Sequence, residues 1–177
     1  MAADYLVSSL QPLVLDGPAP YSAEQFADQC RAQLTAADAA ALESLLGGTE
    51  AAVSTKTLDA WRDLETQLRN AAAAERARLR GEDAARWRHP ATGCSLYWTN
   101  RIVQAFQEKD PAKRDRMLDQ VTWDAAGELT PAASPLSVAA AYTYAIRLRL
   151  VLRRQAISPE TGNATLDRLS AASKLEL

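Results

Sequence analysis

The sequence of 177 residues is poor in the residues that build metal centres, disulfide frameworks and nucleophilic catalytic sites. It holds two cysteines, Cys30 and Cys94, and one histidine, His89. No CxxC or Cys/His spacing typical of zinc sites is present, and two distant cysteines make no disulfide framework. We therefore expect no metal and no cofactor, and a reducing, cytoplasmic location.

Long apolar runs, a charge excess and phosphate-binding loops are also missing. No stretch approaches the roughly 18 uninterrupted apolar residues of a membrane span, and the apolar run before residue 15 lacks the basic flank of a signal peptide. The net charge is −2, whereas nucleic-acid binders usually carry a basic excess. No GxGxxG motif occurs, and Gly47-Gly48 lacks the Lys and Ser or Thr that end a P-loop. From these absences we expect that the protein binds no nucleic acid and no small-molecule substrate. We expect it to contact a membrane only through its partners.

Helix-forming residues dominate what remains. Apolar residues make up 47% of the chain, and about one residue in five is alanine, which loses no side-chain entropy in a helix. Apolar periodicity and capping residues predict an all-α helical bundle with long helices. The first predicted helix begins at Ser22, and a short last helix begins at Ser158-Pro159. The predicted helices between them span Thr35–Gly47, Thr55–Arg80, Ser95–Lys109, Pro111–Leu129 and Leu136–Ala156.

The first twenty residues differ from the rest of the chain. Leu6-Val7 and residues 13–15 are apolar and partly β-branched, and proline and glycine bound them. This pattern predicts one or two short extended segments. We therefore divide the chain into an extended N-terminal arm, residues 1–20, and a helical domain, residues 21–177.

Candidate catalytic residues are scattered. His89 lies in an Arg-His-Pro turn without a patterned nucleophile or orienting partner. The carboxylates pair plausibly with arginine on solvated helix faces, so we expect no catalytic residue and no enzyme activity. An acid/base enzyme and an RNA binder using the arginines of residues 76–88 and 147–154 remain alternatives. Those carboxylates are Asp59, Asp63, Glu65, Asp115, Asp119 and Asp124.

Two tryptophans are informative. Trp61 falls on the apolar face of the predicted third helix, so we expect it in the core. Trp123 lies off the apolar stripe of its helix, beside Arg116, Asp119 and Gln120. Because aromatic residues are enriched at the centres of interfaces, Trp123 is a candidate partner contact, with packing on another face of the bundle as the alternative.

Three stretches of the chain resemble a small uncharacterised bacterial family that is encoded among the subunits of V/A-type ATP synthases. The opening YLVSSL of residues 5–10 is followed by the Pro, Ser, Glu, Phe and Cys pattern of residues 12–30. Residues 61–77 are similar to the family's "W…LRNA…RA" helix, and residues 110–148 to its "DP…LD…W…Y…L" region. The last of these also resembles the d subunit of the same rotary enzymes.

The resemblance implies a non-catalytic structural subunit or assembly factor of a bacterial V/A-type ATP synthase or ATPase. The likeness to the d subunit implies a connector between the rotor shaft and the membrane ring. The expected partners are other subunits of that enzyme, and the expected contacts are Arg69, Asn70, Arg76 and Trp123. A free-standing helical adaptor with an unrelated protein partner is the alternative.

Overall fold

The computed structural model describes residues 2–49, 53–131 and 134–157. Over these ranges the chain forms seven α-helices and one short 3₁₀ turn, Ala84–Trp87, without any strand, which confirms the predicted all-α class. The prediction of a last helix from Ser158 lies outside the described residues. The helices are α1 Ala2–Ser9, α2 Ala23–Gln33, α3 Ala36–Gly47, α4 Lys56–Arg80, α5 Leu96–Ala105, α6 Pro111–Gly127 and α7 Val138–Ala156.

Local capping explains where most helices begin and end. Ser22 and Gln25 form a capping box: the Ser22 hydroxyl accepts from the Gln25 backbone N–H, and the Gln25 side chain accepts from the Ser22 backbone N–H. Thr55 and Asp110 likewise accept from first-turn amides of α4 and α6. Gly48 ends α3 in the left-handed conformation, with φ of 69°. The predicted helix boundaries are thus confirmed to within a few residues.

The N-terminal arm differs from its prediction. Residues 2–9 form α1 rather than an extended segment, and only residues 10–20 lack regular structure. Leu6 is completely buried in the core, and α1 packs against α2 and α7. The reason is tertiary: a short apolar run carries little local preference, so burial of one helical face decides its conformation.

α7 is the central helix of the bundle. Its buried side chains point to more than one side, and it packs against α1, α3 and α6. α4 lies in the other half of the bundle, where it packs on α5, α6 and the 3₁₀ turn. Trp61 is 2% exposed, so its predicted place in the core is confirmed. One contiguous apolar cluster joins both halves.

None of the helices in the described ranges has both the length and the apolar content that a membrane crossing requires.

Candidate binding groove on α4

An open groove with a volume of about 830 Å³ runs along one face of α4. One end is formed by Leu45 and Gly48 at the end of α3 and by Arg149 of α7. Residues 82–90, which follow α4, extend from the other end back along one side of the groove, where His89 pairs with Asn70. The α4 residues between them recur every three or four positions, from Leu58 to Arg80, so they share one helix face.

Small and apolar side chains form the floor of the groove. Thr66, Ala73 and Ala77 are short, so the surface stays close to the α4 backbone. Trp61 lies near one end of the floor, and its indole N–H has no hydrogen-bond partner among the described residues. Trp87 lies at the other end and is 52% exposed. The groove therefore offers an apolar surface with one exposed aromatic ring, that of Trp87.

The rim of the groove is basic, although the chain as a whole is slightly acidic. Among the residues that the structure describes, the lining includes five arginines against two glutamates, Glu65 and Glu82, an excess of three positive charges. The net charge of the entire chain is −2. The arginines are Arg62, Arg69, Arg76, Arg80 and Arg149. A local excess of one sign on a near-neutral chain produces a potential that favours anionic ligands.

Arg149 closes the α3 end of the groove through two hydrogen bonds. Its guanidinium donates to the Leu45 carbonyl oxygen at 3.1 Å and to the Glu65 carboxylate at 3.0 Å. Arg69 donates to the same Glu65 oxygen from the neighbouring turn, at 3.1 Å. A Cβ at Gly48 would lie 3.1 Å from the Arg149 Nη1 atom, so glycine serves both the left-handed backbone and the close approach of Arg149.

Side chains of α4 form hydrogen bonds with the backbone of the segment after Trp87, which borders the groove. The Asn70 amide donates to the His89 carbonyl at 2.7 Å and accepts from the His89 N–H at 2.9 Å. Gln67 donates to the Thr92 carbonyl and accepts from the Ser95 N–H, at 2.7 and 2.9 Å. Asp63 accepts from the Thr92 N–H at 3.0 Å. These five hydrogen bonds position the chain that follows Trp87.

The basic surface continues from the groove toward α6. Arg76 and Arg80 also line a second, smaller cavity of about 320 Å³ beside Phe106 and Arg114. The guanidinium carbons of Arg76 and Arg114 lie 5.8 and 5.6 Å from the centroid of the Phe106 ring, within cation–π range.

The structure brings together three of the four interface residues expected from the sequence. Arg69, Asn70 and Arg76 all line the groove, where Asn70 supports the wall through its paired hydrogen bonds with His89. Trp123 lies elsewhere, half-buried on α6 beneath Arg147, whose guanidinium carbon is 4.9 Å from the ring centroid. Burial lowers the pKa of Arg147.

Sequence reasoning missed Arg149 and Trp87 as groove residues. Arg149 lies 84 positions from its partner Glu65, so no local pattern connects them. One signal in the sequence could have indicated the basic rim: Arg62, Arg69 and Arg76 recur every seven residues along a single helix. That spacing places three like charges in one row on the helix surface.

The carboxylates weighed as acid/base candidates lie mainly in ion pairs. Asp59 pairs with Arg62, and Asp124 pairs with Arg101. Asp119 and Asp115 share Arg153, with shortest N–O distances of 2.6 and 2.8 Å. Within the described ranges, His, Cys, Asp and Glu side chains form no group of three that could hold a metal ion.

Cys30 is a free, buried thiol. It is completely inaccessible to solvent on α2, and burial raises its pKa to about 12. A thiol with so high a pKa is almost wholly protonated at neutral pH, so Cys30 fills space in the core and is a poor nucleophile.

No protein-family model, curated protein or solved structure matches this chain. The groove and the chemistry of its lining are therefore the features from which a function can be inferred.

Proposed function

We propose that this protein is a non-catalytic binding protein that docks a segment of a partner protein in the groove along α4. The observation that carries the proposal is the groove itself, a basic rim over an apolar floor with the exposed ring of Trp87 at one end. Arginine and tryptophan are among the residue types most enriched where side chains dominate the energetics of protein interfaces.

The length of the groove favours a polypeptide over a compact small molecule. Leu58 and Arg80 both line it, and the 22-residue separation corresponds to about 33 Å along a helix. A metabolite of ordinary size covers only part of such a length. A nucleic acid is less favoured because Glu65 and Glu82 interrupt the basic rim.

We propose a V/A-type ATP synthase or ATPase as the assembly in which the partner is found. This part of the proposal rests on the family resemblance of residues 5–30, 61–77 and 110–148. In that setting the protein is a structural subunit or an assembly factor, and a connector like the d subunit is the specific form. A helix of 25 residues such as α4 suits a connection that transmits torque, because its hydrogen-bonded backbone resists bending.

The experiment is gentle purification of a tagged copy from its own cells, followed by native mass spectrometry. Wild-type protein is compared with an Arg69→Gln, Arg76→Gln double variant, in which two rim charges are removed. Arg78→Gln is the matched control, because Arg78 lies on α4, pairs with Glu75 and does not line the groove.

We expect rotary ATPase subunits to accompany the wild type and the control at fixed stoichiometry, and to be lost from the double variant. A partner that stays bound to the double variant contradicts the groove as docking surface. Dependence on the groove with a partner outside the rotary ATPase leaves docking in place and favours the free-standing adaptor.

A further inference from the structure

We infer that the groove receives an amphipathic α-helix of the partner that carries an acidic residue at every seventh position. This inference rests on the proposed function and specifies the chemistry of the docked segment. It follows from the spacing of the rim charges, the small side chains of the floor and the way the arginines are held.

The spacing of the arginines matches a helix. Arg62, Arg69 and Arg76 line the groove at intervals of seven residues, which is about 10.5 Å per interval on α4. A partner helix repeats one face every two turns, about 10.8 Å, so its acidic residues meet each arginine in turn. An extended segment repeats one face every 6.6 Å or so, and 10.5 Å falls near an odd number of residues, which point to the opposite side.

The floor admits a second helix at close range. Thr66 and Ala73 are seven residues apart, and Asn70 and Ala77 form a parallel pair with the same interval. Three of these four side chains are small, and Asn70 is folded back onto His89 by two hydrogen bonds. Small residues at the contact allow helix axes to approach to about 8 Å, the short end of the usual range.

Arg69 and Arg76 are able to exchange their present partners. Arg69 is 66% exposed in its pair with Glu65, and such surface pairs contribute little. Glu65 keeps its bond to Arg149 when Arg69 turns toward a ligand. Arg76 makes no ion pair within the described residues, and its guanidinium stacks on Phe106. The rim therefore presents cations without leaving the half-buried carboxylate of Glu65 unpaired.

The test is fluorescence anisotropy of labelled peptides with the full-length protein. The first peptide is a helix of about 20 residues, the length that spans the groove, with three glutamates seven positions apart and leucines beside them. The second has the same composition, with the glutamates moved to different sides of the helix. A third has the acidic spacing of the first but contains two prolines that prevent helix formation.

We expect the first peptide to bind about tenfold more tightly than the second, as three exposed ion pairs allow. The Arg69→Gln, Arg76→Gln double variant, which keeps one of the three pairs, should reduce this preference to about twofold, whereas Arg78→Gln should leave it unchanged. In Arg69→Glu, a peptide with lysine in place of the central glutamate should bind better than the original peptide. This charge exchange tests register independently of affinity, and matching circular dichroism melts check that each variant is folded.

Equal binding of the first and second peptides overturns the inference. Equal binding of the first peptide and the proline-containing peptide also overturns the inference that the docked segment is a helix. In that case an acidic segment still docks, and the proposed function stands. Displacement of the first peptide by a lower concentration of a single-stranded oligonucleotide overturns both, and assigns the groove to nucleic acid. If the partner is lost from the double variant but the first and second peptides bind equally, the groove is still the docking surface. The docked segment is then not a helix with an acidic residue at every seventh position.

Discussion

Single side chains on α7 hold distant parts of the chain against it. Tyr142 is 3% exposed, and its hydroxyl donates to the Asp38 carboxylate in the first turn of α3 at 2.9 Å. The Tyr144 hydroxyl donates to the Gln11 carbonyl, also at 2.9 Å. Burial raises the pKa of both phenols above the ordinary value of 10.0. Both residues therefore couple stability to alkaline pH.

Tyr142→Phe should weaken the dependence of stability on pH above pH 10. There the unfolded chain releases the phenolic proton while the folded chain keeps it, so each such tyrosine lowers the free energy of unfolding as pH rises. The slope of the free energy of unfolding against pH should be smaller in the variant by up to about 1.4 kcal/mol per pH unit. At pH 8 it should be less stable by about 1 kcal/mol for the missing hydrogen bond.

Urea unfolding followed by circular dichroism between pH 8 and 11 measures the effect. Tyr5→Phe is the matched control, because Tyr5 is 72% exposed and the surroundings of its hydroxyl change little on unfolding. The same slope in Tyr142→Phe and wild type would contradict the argument.

At the scale of elements, α4 performs two tasks on two adjacent faces. Asp63, Gln67 and Asn70, spaced by four and three residues, hold the backbone of residues 89–95. The neighbouring face forms the groove. Because the two faces meet at Asn70, the shape of the groove depends on a loop that α4 itself positions.

Asn70→Ala should loosen the wall of the groove. It removes both hydrogen bonds to His89, so the His89 amide should exchange with deuterium at least about tenfold faster. The emission of Trp87 should shift as its surroundings change. Hydrogen exchange by mass spectrometry checks the first effect, and Arg78→Ala serves as control on the same helix. Unchanged exchange over residues 88–95 would show that another contact holds the wall.

At the scale of the whole molecule, one ion network joins three parts of the fold. Asp119 of α6 is 7% exposed, and both its oxygens accept from Arg153 of α7, at 2.6 and 2.7 Å. Arg154 donates to Asp119 and to Asp16 of the N-terminal segment, and Asp16 also pairs with Arg116. Burial raises the pKa of Asp119 against the pull of its arginine partners.

Asp119→Ala should destabilise the protein by about 2 kcal/mol, because it removes the charge-assisted hydrogen bonds of Arg153 and Arg154 to their shared carboxylate. Residues 10–20 should then become more accessible, since Arg154 also anchors Asp16. Thermal unfolding measures the first effect, and limited proteolysis mapped by mass spectrometry measures the second. Asp28→Ala is the control, since its exposed pair with Arg31 should contribute less than about 1 kcal/mol. A melting temperature equal to that of wild type would mean that the network is marginal.

The sequence by itself determined the helices and most of their limits. Ser22, Thr55 and Asp110 as caps, and Gly48 as a left-handed terminus, act on amides and carbonyls within a few residues. Such local chemistry is legible without a fold. The placement of Trp61 in the core followed in the same way from helical periodicity.

The tertiary structure decided the conformation of the N-terminus and the form of the groove. Residues 2–9 became helical because Leu6 found a place in the core. The groove depends on Arg149 reaching Glu65 across 84 positions, and on Asn70 pairing with His89 from another element. Such contacts arise only when helices pack, because the energy of burial and of long-range ion pairs has no counterpart in a local stretch of sequence.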